Sequence, residues 1–209
     1  MTTNESLFFR DKKPFDDLKD TLIPEIIQDR ATHRHIRIWC AACSTGQEPY
    51  SLLMMLAENF AQLDSWRVEV VATDLDSKAL ERAKNGLYSQ MEVQRGLPIQ
   101  LLLKYFRQVD TSWQVIDELR HQVTWKQWNL LDSFAGLGQF DLILCRNVLI
   151  YFDESLKREI FQKLTKSLRD NGPLILGAAE TVIGLSKDFA RDTRCRSSVY
   201  RFRNQPSAL

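Results

Sequence analysis

Phe15, Leu18, Leu22, Ile23, Ile26 and Ile27 recur three and four residues apart, which predicts an amphipathic helix ending before Arg30. The short run Ile36 to Trp39 reads as a buried strand, followed by a turn at Ser44-Thr45-Gly46. Pro49 suits the first turn of the next helix, and Leu52, Leu53, Met55, Leu56 and Phe60 form its apolar face. A β-branched run, VEVVATDLD from Val68 to Asp76, predicts a second strand. Ser77 suits the N-cap of a helix over Lys78 to Asn85, with Gly86 as the residue just beyond it. Strand, helix, strand, helix is the sequence form of a parallel α/β sheet.

The middle breaks this rhythm. Between Leu97 and Asn129 a helix (Gln100 to Phe106) precedes the short alternating stretches WQVID and VTWKQWN, which predict two or three antiparallel strands inserted as a small subdomain. The alternation resumes with FDLILCRNVLIYF as an almost wholly apolar strand. Asp153 is placed to cap a helix from Glu154 to Arg169, with Leu156, Ile160, Phe161, Leu164 and Leu168 as its stripe; Asn171-Gly172 ends it. PLILGAA predicts one more strand and SVYRFR a last one.

Composition narrows the function classes. The 209 residues fit one domain with a sizeable core, and a formal charge of +1 gives no electrostatic reason to expect nucleic acid or an anionic membrane as partner. No apolar run approaches the roughly 20 residues that span a bilayer, and the start lacks the apolar stretch of a signal peptide, so a cytoplasmic address is expected. Cys40, Cys43, Cys145 and Cys195 do not make a disulfide framework. With three histidines and no second ligand pair at suitable spacing, no metal is expected. Trp39-Cys40-Ala41-Ala42-Cys43 resembles a redox site superficially. A redox C-x-x-C wants its first thiol at a helix N-terminus, whereas Cys40 falls in the predicted strand and the helix starts near Glu48.

Ligands of such a sheet sit outside the carboxyl ends of its strands, which singles out residues 41–48, 73–76, 129–132 and 146–151. Asp74 ends the second strand, where a carboxylate accepts from ribose hydroxyls; capping of the next helix falls to Asp76 and Ser77. The first loop holds one glycine, Gly46, too few for close approach of a pyrophosphate, and Glu48 would repel phosphate. S-adenosylmethionine carries adenosine, a sulfonium and an ammonium but no phosphate, and suits this loop better. Asn129 and Asp132, beside Leu130 and Leu131, offer polar and aliphatic contacts to an adenine, and Arg146-Asn147 is a polar pair ending a buried strand.

NESLFFRD, CSTGQEPYSL, ATDLD, RGLP, NLLD, FDLILCRNVLIYF and LGAAET, in this order from Asn4 to Arg203, resemble the chemotaxis receptor methyltransferase (CheR) family. The resemblance implies a Rossmann-like class I methyltransferase sheet, mostly parallel with an antiparallel last strand, carrying a small inserted antiparallel β-subdomain. It further implies S-adenosylmethionine-dependent methylation of glutamate side chains on the cytoplasmic domain of chemoreceptors. Residues 1–30 would form a cofactor-covering segment and linker helix, and 31–209 the methyltransferase domain with its insert at about 97–128. By the same resemblance Asn4, Ser6 and Arg10 fold over the cofactor, while Glu48, Asp74, Asn129, Leu130, Arg146 and Asn147 line its pocket. Arg10 and Tyr151 stand near the transferred methyl, and Ser6 replaces a common threonine. The family's β-subdomain docks a receptor's C-terminal tether by strand addition. Trp113, Trp125 and Trp128 are either anchors of that contact or the subdomain's own core. Family members usually carry a further N-terminal helical domain that meets the receptor, whereas this sequence opens on the cofactor-covering segment. A monomer is expected. Two other readings stay open: the same chemistry on another carboxylate or signalling protein, and a non-catalytic cofactor-binding adaptor. A nucleic-acid methyltransferase is disfavoured, since Arg146-Asn147-Val148-Leu149 stands where a base-flipping loop would lie.

Overall fold

The N-terminal apolar face forms one continuous, irregular helical stretch: α1 (Lys12–Asp17), a π-helical turn over Leu18–Leu22, and α2 (Ile23–Arg30). A computed structural model describes the chain over residues 6–203, so Asn4 lies outside the described residues. Beyond this helix, β1 (His35–Ala41), α3 (Gln47–Asn59), β2 (Arg67–Asp74) and α4 (Ser77–Asn85) follow the predicted alternation. Asp76, not Ser77, is the N-cap of α4: its carboxylate accepts from the backbone N–H of Lys78 at 2.9 Å and Ala79 at 3.3 Å.

The chain then builds β3 (Leu87–Ser89), α5 (Gln90–Gln94), α6 (Ile99–Tyr105), β4 (Phe106–Val109), β5 (Ser112–Val115) and α7 (Asp117–Arg120) before returning to β6 (Val123–Gln127). β3, β5 and β4 form a three-stranded antiparallel sheet in that order. β6 does not join it. This strand pairs in parallel with β2, from Val70↔Val123 to Asp74↔Gln127, which corrects the reading of VTWKQWN as part of an antiparallel insert. Its alternation of exposed and covered residues is that of an edge strand, and it makes no distinction between the two sheets.

The remaining elements are β7 (Leu142–Cys145), α8 (Glu154–Ser167), β8 (Pro173–Leu176), β9 (Phe189–Arg191) and β10 (Val199–Phe202). The main sheet runs β6-β2-β1-β7-β8-β10-β9, parallel up to β8 and antiparallel at β10 and β9. β9 escaped the sequence reading because three residues carry too little periodicity. β7 is shorter than FDLILCRNVLIYF suggested: it stops at Cys145, Asn147 takes a φ of +59°, and Leu149–Tyr151 makes a 3₁₀ turn.

Side chains alternate across the strands and give the sheet two apolar faces. Ile38, Cys40, Val70, Leu142 and Leu144 face the layer containing α2 and α3, while Trp39, Ala41, Val71, Ile143 and Cys145 face α8. The small sheet packs on the first layer through Phe8, fully buried, whose ring meets Tyr88 edge-on at 5.0 Å and Phe106 at 5.6 Å. Gly96 makes this possible. Its φ is +92°, and a Cβ there would stand 2.1 Å from the Phe8 carbonyl oxygen. At the far end, the Asp17 carboxylate accepts from the backbone N–H of Arg196 and Ser197, fastening the approach to β10 onto α1.

Gly96→Ala is therefore expected to destabilise the fold by at least about 1–2 kcal/mol from the left-handed backbone alone, with the steric conflict added. Urea denaturation should show a lower midpoint, and limited proteolysis should show faster cleavage near Phe8.

Candidate functional site

The carboxyl ends of β1, β2, β6 and β7 open into one cavity of about 340 Å³, within the usual range for a small-molecule site. Ser6, Arg10, Glu48, Asp74, Asn129, Leu130, Arg146, Asn147 and Tyr151 all line it. These nine candidates are thus brought to one wall system from five separate parts of the chain, whereas Asp132 is exposed and does not line the cavity. The segment Ser6 to Asp11 crosses the cavity as a strap. Phe9 (φ +49°) and Asp11 (φ +55°) bend it, and the Phe9 N–H donates to Ser51 Oγ at 2.9 Å.

Arg146 holds the strap to the sheet. Its side chain is 2% exposed; Nη1 donates to Glu48 Oε2 at 2.7 Å, and Nη2 donates to the Arg10 carbonyl at 2.8 Å and to Asp11 Oδ2 at 3.1 Å. A buried guanidinium without these acceptors would be strongly destabilising, so the pairing with Glu48 fixes both side chains. Nε finds no partner among the described residues.

Asp74 organises the first loop. Oδ2 accepts from the Ser44 N–H at 2.7 Å and Oδ1 from the Asp76 N–H at 2.9 Å, which leaves lone pairs on both oxygens for further donors. Ala42 (φ +55°), Ser44 (φ +50°) and Gly46 (φ +91°) turn the backbone sharply at this loop. Tyr88 ties the small sheet to it by donating to the Thr45 carbonyl at 2.7 Å. Asn129 Oδ1 accepts from the Leu131 N–H at 2.9 Å, a local turn that fixes the amide in the wall. Leu75 and Trp128 add apolar surface.

Sequence reasoning missed Asp11, Leu75 and the cavity role of Trp128. Of the three tryptophans considered for the subdomain, only Trp113 lies in the small sheet, where Nε1 donates to Gln90 Oε1 at 2.6 Å; Trp125 is on β6, packed against Tyr50. Glu180 was also missed, although LGAAET was noticed: this buried carboxylate receives backbone donors from the turn that carries Asn147 to Tyr151.

Cys40 and Cys43 are buried, and burial together with the Glu48 charge pushes both thiols well above their ordinary range. A redox pair needs the opposite shift. Among the described residues no group of three or more His, Cys, Asp or Glu could hold a metal, and no helix is long and apolar enough to cross a membrane.

The family described as CheR methyltransferase, SAM binding domain, matches residues 4–197. The chain belongs to the CheR methyltransferase family. Its similarity extends to a chemotaxis protein methyltransferase of Pseudomonas putida, 44% identical over 88% of this chain and 68% of that one. Chemotaxis protein methyltransferase 1 of Pseudomonas aeruginosa is 43% identical over 96% of this chain and 74% of its own. A chemotaxis protein methyltransferase of Vibrio parahaemolyticus is 39% identical over 95% and 72% respectively. The CheR domain binds S-adenosylmethionine, and the cavity fits it. Two carboxylates on the wall, Glu48 and Asp74, disfavour a phosphate-bearing cofactor but suit a ribose diol and a cationic one. Ser44 Oγ, buried with no partner among the described residues, is a further polar group at this wall.

Asp74→Asn should weaken S-adenosylmethionine binding on the order of 10- to 100-fold, the scale of one or two charge-assisted hydrogen bonds. Titration calorimetry would show this, with thermal stability reporting separately on the first loop.

Proposed function

We propose that this CheR domain transfers the methyl of S-adenosylmethionine to glutamate side-chain carboxylates of chemoreceptor cytoplasmic domains, forming glutamate methyl esters. The observation that carries the reading is the position of Tyr151. It is 57% exposed, on the 3₁₀ turn after β7, and yet lines the same cavity as Arg10, Glu48 and Asp74. A phenol at an open mouth can meet an acceptor brought from solution. The names of the relatives, chemotaxis protein methyltransferases, support the choice of acceptor.

In this reading Asp74 holds the ribose hydroxyls, Asn129 and Leu130 the adenine, and Glu48 with Arg146, Asn147 and the strap residues Ser6 and Arg10 the amino-acid end. Bound S-adenosylmethionine supplies a methyl on a sulfonium, which leaves as S-adenosylhomocysteine when the C–S bond breaks. A glutamate carboxylate, with a reference pKa near ~4.3, is already ionised at neutral pH, so no general base is needed. One carboxylate oxygen forms the new bond to carbon, and no proton moves. The chain's contribution is alignment and exclusion of water, effects worth up to roughly 7–11 kcal/mol in favourable systems. Tyr151 and Arg10 orient the incoming carboxylate. A strong bidentate Arg10 grip on it would stabilise the ground state and slow the reaction, so Arg10 serves in part to hold the cofactor's own carboxylate.

The small sheet is the proposed docking site for a receptor tether. β5 is its central strand, so β3 and β4 are its edges, and Arg107, Gln108 and Val109 on β4 are exposed.

Mass spectrometry of a purified chemoreceptor cytoplasmic fragment, after incubation with the protein and S-adenosylmethionine, should show +14 Da (one methyl for one hydrogen, ~14 Da) on glutamate, lost on mild alkaline treatment. Tyr151→Phe should lower kcat about tenfold or more with cofactor affinity retained, the loss of one hydrogen bond to a charged group. Arg10→Ala should weaken cofactor binding as well as turnover; unchanged affinity with lost turnover would assign Arg10 to the acceptor alone.

A further inference from the structure

Glu180 is 6% exposed and lies just beyond β8, outside the set of residues that line the cavity. Its Oε1 accepts from the backbone N–H groups of Val148 at 2.9 Å, Leu149 at 2.7 Å and Ile150 at 3.3 Å. Its Oε2 accepts from the N–H of Asn147 at 2.9 Å and of Gly177 at 2.7 Å. Five main-chain donors converge on one carboxylate whose two oxygens offer about four lone-pair directions. The group has no capacity left for a substrate or a proton to be relayed. Its charge is offset entirely by backbone dipoles, an arrangement costly to build unless every donor is in place.

Four of the five donors belong to the turn between β7 and α8. Asn147 there has a φ of +59°, and the 3₁₀ turn Leu149–Tyr151 has no side-chain cap from its own N-cap residue, Val148. The cap comes instead from some 30 residues further along the chain, across the neighbouring strand end. Close approach is secured at Gly177, where a Cβ would stand 2.7 Å from Glu180 Oε2 and 2.9 Å from the Asn147 nitrogen. The turn held in this way carries Asn147, Ile150 and Tyr151, all on the cavity wall.

We infer that Glu180 is a positioning residue for methyl transfer, which sets the height and direction of Tyr151 by capping the 3₁₀ turn that bears it. The inference rests on the reading of Tyr151 as the acceptor-side group. Glu180 touches neither cofactor nor acceptor and acts through the main chain. A displacement of about 1 Å in such a group is enough to cost on the order of 100-fold in rate. In Glu180→Gln one oxygen becomes an NH₂ group facing backbone N–H donors, so the side chain loses two or three of its five bonds, at least one of them to the turn, with little change in volume.

The test is a double-mutant cycle on methyl transfer from labelled S-adenosylmethionine to a purified chemoreceptor cytoplasmic fragment. Glu180→Gln is expected to lower kcat about tenfold or more in the wild-type background, and by less than about threefold when combined with Tyr151→Phe. Gly177→Ala, which retains the carboxylate but displaces it, should show the same coupling. Equal losses in both backgrounds, for whichever variant folds by thermal unfolding and near-ultraviolet circular dichroism, would overturn the inference. So would loss of folded protein in both variants, which would assign Glu180 to the fold alone. If instead Tyr151→Phe by itself leaves kcat unchanged, the acceptor-side reading fails, a result distinct from additivity in the cycle.

Discussion

The site depends on a buried cation at the end of the central strand of the sheet. Arg146 follows β7, the central strand that pairs with β1 and β8, and its side chain is almost wholly buried at the cavity wall. Such a group is tolerated when its charge is met by acceptors. The acceptors are Glu48 from the start of α3, and the Arg10 carbonyl and Asp11 carboxylate from the strap. One side chain thereby connects the N-terminal segment, the first helix after β1 and the middle of the sheet. The cavity opens between these three and the ends of β2 and β6.

Around that centre, carboxylates do most of the positioning, and they do it through main-chain N–H groups. Asp74 holds the first loop, Asp76 starts α4, Asp17 fastens the last strands to α1, and Glu180 holds the turn before α8. In each case an acid satisfies donors at a place where no strand or helix partner can, which lets loops at the strand ends keep sharp conformations such as those of Ser44 and Asn147. The small sheet is joined to the same apparatus. Phe8 of the strap is packed between Tyr88 and Phe106, and Tyr88 also bonds the loop at Thr45. Covering of the cavity and packing of the small sheet are thus one structural event.

The sequence carried the alternation of strands and helices clearly, because buried parallel strands are continuous apolar runs and their helices have a 3.6-residue stripe. It carried Asp74, Glu48, Arg146 and Tyr151 through motif and position at strand ends. It was silent on β9, too short to show a period, and it misplaced Val123–Gln127. An edge strand alternates in the same way whether its partner is parallel or antiparallel, so only the register with β2 decides. The apparent redox pair Cys40 and Cys43 was legible as structural, since one thiol sits in a strand and both are enclosed.

By itself, then, the order of residues determined the fold class, the four strand-end loops that line much of the cavity, and the glycine-poor first loop with Glu48 that disfavours a phosphate. The tertiary structure alone decided what the acids with distant partners are for. Glu180, Asp11 and Asp17 look like ordinary surface charges in a sequence, because their partners are backbone groups or a guanidinium far away along the chain. Main-chain N–H groups have no residue identity to read. Which of them an acid will meet becomes known only when neighbouring strands bring the loops together.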